Sequence, residues 1–166
     1  MKIFSKVAIL IIFSLGLGLV SCIKNPELPI EPIIKFEEFK KFGKDSAWFI
    51  FSFTDGDGDI GLKPSDIHPP FDTSSVHYYN FFMDYYEKQG DDFVKIDTEI
   101  PFSYRIPYLT PEGRNKALEG EIVVRLPFQY FDDSRGVEVV RYDAWMFDRA
   151  LHKSNVISTG EIWVPN

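Results

Sequence analysis

Cysteine is almost absent from this 166-residue chain: Cys22 is the only one, so no intrachain disulfide can form. Histidine is nearly as scarce, and His68, His77 and His152 are scattered without the spacing of zinc or copper ligands. The chain has no Gly-x-Ser-x-Gly, no His-Glu-x-x-His and no phosphate-binding glycine loop, which removes the common signatures of hydrolases, zinc proteases and nucleotide-using enzymes. A catalytic carboxylate pair is the remote alternative, because neighbours in space need not be neighbours in sequence. The adjacent acids Glu37-Glu38, Asp91-Asp92 and Asp132-Asp133 nevertheless fall near strand or turn ends, where solvated charge is the plain explanation. Positive charge is also short. Against 25 Asp and Glu there are 18 Lys and Arg, a formal net charge of −7 that argues against nucleic acid and against docking on an anionic bilayer. Sustained 3.6-residue periodicity is missing too, which excludes a helical domain.

The first 21 residues read as an export signal. Lys2 and Lys6 open it, Val7 to Val20 is apolar apart from Ser14, Gly16 and Gly18, and small residues lead to a cleavage point. A run of fourteen residues is short for a span of about 30 Å of hydrocarbon, which takes roughly 20 residues as a helix. Leu19-Val20-Ser21-Cys22 matches a lipobox, in which a branched apolar residue and two small or aliphatic residues precede the cysteine to be acylated. Cys22 is therefore the expected lipidation site and the expected link to a membrane. Several acyl chains on one cysteine anchor firmly where a single chain does so only marginally. Losing the leader removes two lysines and no acid, taking the charge from −7 to −9. Residues 22–33 are the expected tether. Pro26, Pro29 and Pro32 recur every third residue, favouring an extended spacer of about 3.1 Å per residue, or about 34 Å for residues 23–33.

Residues 34–166 read as one domain. Sixteen Phe, eight Tyr and three Trp supply ample core material. The pattern is strand-like: Trp48 to Phe53, Val76 to Tyr86, Phe93 to Ile96, Phe102 to Leu109, Gly120 to Phe128, Gly136 to Phe147 and Gly160 to Val164. Pro107 restricts its strand to an edge, residues 62–75 form a long Pro-bearing loop, and Pro111 to Leu118 is the one plausible helical turn. About seven short strands with frequent turns predict an all-β, antiparallel sandwich.

The most informative segment is Thr54-Asp55-Gly56-Asp57-Gly58-Asp59-Ile60-Gly61. Carboxylates at alternate positions with glycine between them let the backbone curl until all three converge. Their repulsion then calls for a cation, and an all-oxygen donor set selects Ca²⁺ over zinc or copper. Counted as an EF-hand loop, Asp55, Asp57 and Asp59 take positions 1, 3 and 5 and Asp66 takes position 12. Ile60 stands where that loop needs Gly, Asp66 replaces Glu, and no helices flank the segment. The expectation is a strand-end calcium site; a solvated acidic turn is the alternative, since Asp-Gly is common in turns. Asp148 opens a second turn, Asp148-Arg149-Ala150-Leu151-His152-Lys153-Ser154-Asn155, where it either faces the acidic loop and completes the metal site as a further ligand or caps its own turn.

That second turn resembles the Asp-x-Ala-Gly-Asn-x-Ser turn before the last strand of many bacterial immunoglobulin-like domains, with His152 and Lys153 in place of the Gly-Asn pair. Taken together, the lipobox, the Pro-rich tether, Phe51 to Gly61, Phe81 to Glu87, Ile106 to Leu109, Asp148-Arg149-Ala150 and Ser154-Asn155 resemble a family of Bacteroidota lipoproteins of unknown function. The resemblance spans most of the chain, and its specific element is Asp-Gly-Asp-Gly-Asp-Ile-Gly. It implies an immunoglobulin-like sandwich lipid-anchored in the cell envelope, at the outer membrane, and it brings no activity. The residues after Cys22 lack a clear acidic surface-export signal, which favours a periplasm-facing domain.

Two functions follow as expectations. One is a non-catalytic structural or interaction module fixed at one end by calcium. The other is a glycan- or peptide-binding protein that uses outward aromatics of the 76–86 strand, Tyr79 and Tyr85, which could stack on sugars or meet a protein partner. A doubly buried central strand is the alternative explanation for that aromatic run.

Overall fold

The computed structural model describes residues 28–42, 46–109, 116–127 and 136–164. Cys22, the rest of the lipobox, the first part of the tether and the expected turn at Asp132 to Arg135 lie outside these residues. So does most of the expected helical turn. Among the described residues no helix is long and apolar enough to cross a membrane.

Nine strands are described: β1 (Ile33–Phe42), β2 (Ser46–Asp55), β3 (Phe81–Gln89), β4 (Asp92–Lys95), β5 (Phe102–Tyr104), β6 (Leu118–Pro127), β7 (Val139–Met146), β8 (Ile157–Ser158) and β9 (Ile162–Trp163). They form two antiparallel sheets. One has the order β1-β2-β6; the other runs β4-β3-β7-β8, with β5 also on β3 and β9 also on β7. With β2 and β6 as neighbours in one sheet and β3 and β7 as neighbours in the other, the two sheets make a β-sandwich of nine described strands.

The inward faces follow the two-residue period of a strand. In β2, Ala47, Phe49, Phe51 and Phe53 are buried; in β3, Phe81, Met83 and Tyr85; in β7, Val140, Tyr142, Ala144 and Met146. Phe51 of one sheet stacks on Phe81 of the other, with centroids 4.9 Å apart and rings within 6° of parallel. Tyr142 meets Tyr85 and Phe102 at 5.4 and 5.5 Å. Each such ring contributes roughly 1.5–3 kcal/mol by leaving water, so this aromatic seam joins the sheets.

Three elements depart from expectation. β1 was not anticipated and begins at Ile33, inside the expected tether. Its register slips between Phe36 and Glu38, which breaks the alternation a sequence reader looks for. Residues Val76–Tyr78 form a 3-10 turn rather than strand, capped by the Ser75 hydroxyl accepting from the His77 amide at 3.1 Å. The expected last strand, Gly160 to Val164, is reduced to the short β9, and an additional short strand, β8, precedes it.

The ends of the sandwich differ. Where Ile33 pairs with Thr54 and Phe81 with Met146, the chain entry, the β2–β3 connection and the β7–β8 connection come together. The other end carries the β1–β2 and β3–β4 hairpins and exposes Phe42 and Trp48, which pack on each other at 4.4 Å.

Candidate metal centre

The inward row of β2 ends in an acid. Asp55 follows Phe49, Phe51 and Phe53 on the same face, so strand geometry alone drives its carboxylate into the end of the sandwich, where it is 0% exposed. The chain then turns so that Asp57 and Asp59 bring their carboxylates back. One oxygen from each of Asp55, Asp57 and Asp59 lies within 4.8 Å of the others. At an effective dielectric near 20, unit charges at that separation repel by about 3 kcal/mol per pair.

Hydrogen bonds do little to offset this. Asp55 Oδ2 accepts from the Asp59 amide at 3.1 Å. Oδ1 of Asp55, of Asp57 and of Asp59 are each buried with no hydrogen-bond partner. Burial, reinforced by the facing Asp57 and Asp59 carboxylates, pushes Asp55 up to about 7. Asp59 is also raised, first by burial and then by the charges of Asp148 and Asp57, with the Ala150 amide and Arg149 working the other way. Buried acceptor oxygens without hydrogen-bond partners, gathered on three carboxylates, are a donor set for a hard cation.

The connection around this loop is tight. After Ile60 the chain runs beside residues 106–109: Leu62 donates to the Ile106 carbonyl at 2.9 Å, Tyr108 to Leu62 at 3.1 Å and Leu109 to Ile60 at 3.0 Å. Gly61 sits at φ +86°, and a Cβ there would collide with the Pro107 carbonyl. Ile60 is wholly buried, so the residue that breaks the EF-hand pattern serves as core.

Asp66 is not brought to the cluster, contrary to the EF-hand count. The pairing along 106–109 leads the chain away from the carboxylates, and Asp66 Oδ2 instead accepts from the Lys63 amide at 2.9 Å and pairs with Arg149 Nε at 3.2 Å. Asp148 lies outside the group of clustered oxygens on Asp55, Asp57 and Asp59, and both of its own oxygens face His152. It caps its own turn, accepting from the His152 amide at 2.8 Å, with the His152 ring Nδ1 also 2.8 Å away. It also stands behind the acidic loop: it is fully buried, its charge acts on Asp59, and the next residue, Arg149, donates its amide to the Asp59 carbonyl at 3.2 Å. Burial raises the Asp148 carboxyl while His152 partly offsets that, and the same carboxylate raises His152. Sequence reading missed the backbone donors Arg149 and Ala150; the Asp-x-Ala resemblance marked their segment but not their role.

Tyr85 does not serve as an exposed stacking residue. It is buried, packs on Phe102 and Tyr142, and donates its hydroxyl to Glu87 at 3.1 Å. The strand starts at Phe81, so odd positions face inward and Phe82, Asp84 and Tyr86 face out. Tyr79 precedes the strand, is 40% exposed and meets Tyr78 edge-on. The outward aromatics are themselves covered: Phe82 stacks on Trp145, Lys153 lies over Trp145 at 4.9 Å, and Arg141 lies over Tyr86 at 4.4 Å.

Comparison with protein-family models, with curated proteins and with solved structures gives no match to this chain.

Proposed function

We propose that this chain is a lipid-anchored, non-catalytic module of the bacterial cell envelope, an immunoglobulin-like sandwich whose acidic end is fixed by calcium. The observation that carries the metal reading is the cluster of Asp55, Asp57 and Asp59, in which one oxygen of each lies within 4.8 Å of the others and the Oδ1 of each is buried without a hydrogen-bond partner. Asp55 is the decisive member, because its buried carboxylate has no bulk water to solvate its charge. Calcium accepts six to eight oxygens at flexible geometry, so the three acids leave positions for carbonyls or water. The lipobox at Leu19 to Cys22 and the spacer after it support the anchored part of the reading.

Titration calorimetry on the full chain in detergent tests the metal reading. Binding of one calcium that is abolished in Asp55→Asn is the expected result. Heats indistinguishable from dilution up to millimolar calcium would dismiss it.

A further inference from the structure

The acidic loop also holds the chain leading into β1. The Gly56 amide, between Asp55 and Asp57, donates to the Pro29 carbonyl at 2.8 Å. The two backbones approach so closely that a Cβ at Gly56 would collide with the carbonyl oxygens of Leu28 and Pro29. From the neighbouring turn, Asn155 grips the start of β1: its side chain accepts from the Ile34 amide and donates to the Ile34 carbonyl, each at 2.8 Å. These two turns are joined by the bond from the Arg149 amide to Asp59. Residues 28–34 therefore rest on the same pair of turns that gathers the carboxylates.

We infer that occupancy of the Asp55-Asp57-Asp59 site by calcium locks residues 28–32, the root of the tether, onto the domain. This rests on the calcium reading above and goes beyond it to what the ion controls. The cluster is more than an acidic surface, since Asp55 is fully buried and its Oδ1 has no hydrogen-bond partner. With no cation, the carboxylates relieve their repulsion by opening the turn, and the glycines at 56 and 58 are where that turn yields. Opening it carries the Gly56 amide away from Pro29. The ion holds the turn closed and with it the Gly56–Pro29 bond. Locking residues 28–32 takes five residues, about 16 Å at about 3.1 Å per residue, from the reach of the chain between Cys22 and β1. Calcium thus shortens the distance at which the domain can stand from its anchor.

The test is NMR relaxation on the ¹⁵N-labelled full chain in detergent micelles, with calorimetry on the same sample. Calcium is expected to raise the backbone order parameters of Leu28, Ile30 and Glu31 from below about 0.6 to about 0.85. Gly56→Ala keeps every carboxylate and no left-handed backbone opposes it; it is expected to bind calcium with the same stoichiometry while residues 28–31 stay mobile. If calorimetry shows binding but the order parameters of the parent chain do not move, the lock is overturned and the calcium reading stands. If residues 28–31 order equally in Gly56→Ala, the lock is again overturned. Absence of calcium binding overturns both.

Discussion

Replacing Asp55 by Asn should stabilise the protein when calcium is chelated and destabilise it relative to the parent when calcium is abundant. The sign follows from where the charge sits. In the folded, metal-free chain Asp55 is held up to about 7, against about 3.8 in an open chain. The native state therefore binds more protons than the unfolded state between these values, and chelated protein loses stability as pH rises through that window. A gap of about three pH units corresponds to about 4 kcal/mol. The neutral amide of Asn removes most of that cost above pH 7 but offers calcium a poorer ligand. For the parent, calcium at a hundredfold excess over its Kd adds about 2.7 kcal/mol. In a domain of this size that is roughly 10 °C in Tm. Circular dichroism melts at pH 7.5, in EGTA and in calcium, read both effects, and a series from pH 4 to 8 in EGTA reads the proton linkage. A parent chain that melts at the same temperature in both media, or gains stability in EGTA as pH rises from 4 to 7, would refute the reasoning.

Asp66→Asn should leave calcium affinity almost unchanged, because that carboxylate serves the Lys63 amide and Arg149; calorimetry showing loss of binding would return it to the site. Gly61→Ala should lower stability by about 2 kcal/mol or more, through a left-handed φ and a collision with the Pro107 carbonyl, measurable by urea unfolding. Tyr85→Ala should cost about 3–5 kcal/mol as a core truncation, with the same assay as readout. Cys22→Ala should move the protein from the detergent phase to the aqueous phase in a partition assay, since the lipid then has no attachment point.

The acidic loop was legible because everything it needs is local: alternate carboxylates, intervening glycine and a β-forming run that delivers Asp55 inward. Asp66 was misassigned because counting along the chain assumes one continuous ligand loop. Pairing of Ile60 to Leu62 with residues 106–109 is long-range and redirects the chain. Tyr85 failed for a similar reason. A shift of one residue swaps every side chain between faces, and the parity of β3 is set by Asn80, whose side chain accepts from the Ile106 amide at 2.6 Å and donates to the Ile106 carbonyl at 3.2 Å. No local pattern carries that bond. β1 was missed because the slip at Phe36 and Glu38 and the run Lys40-Lys41 hide its alternation, although the sandwich architecture itself followed from the turns and β-formers of its neighbours.

The position of β1 also sets how the domain bears force. Its N-terminal end lies where the chain enters, and it pairs antiparallel with β2 from Ile33 opposite Thr54 to Phe42 opposite Ser46. In a chain held by its N-terminus, tension from anything gripping the opposite end, where Phe42 and Trp48 are exposed, runs parallel to these strands. The rungs between β1 and β2 are then loaded in shear and must fail together, whereas a sideways pull would unzip them one at a time. If the chain is attached at this corner, the edge strand β1 would be the mechanical clamp of the sandwich.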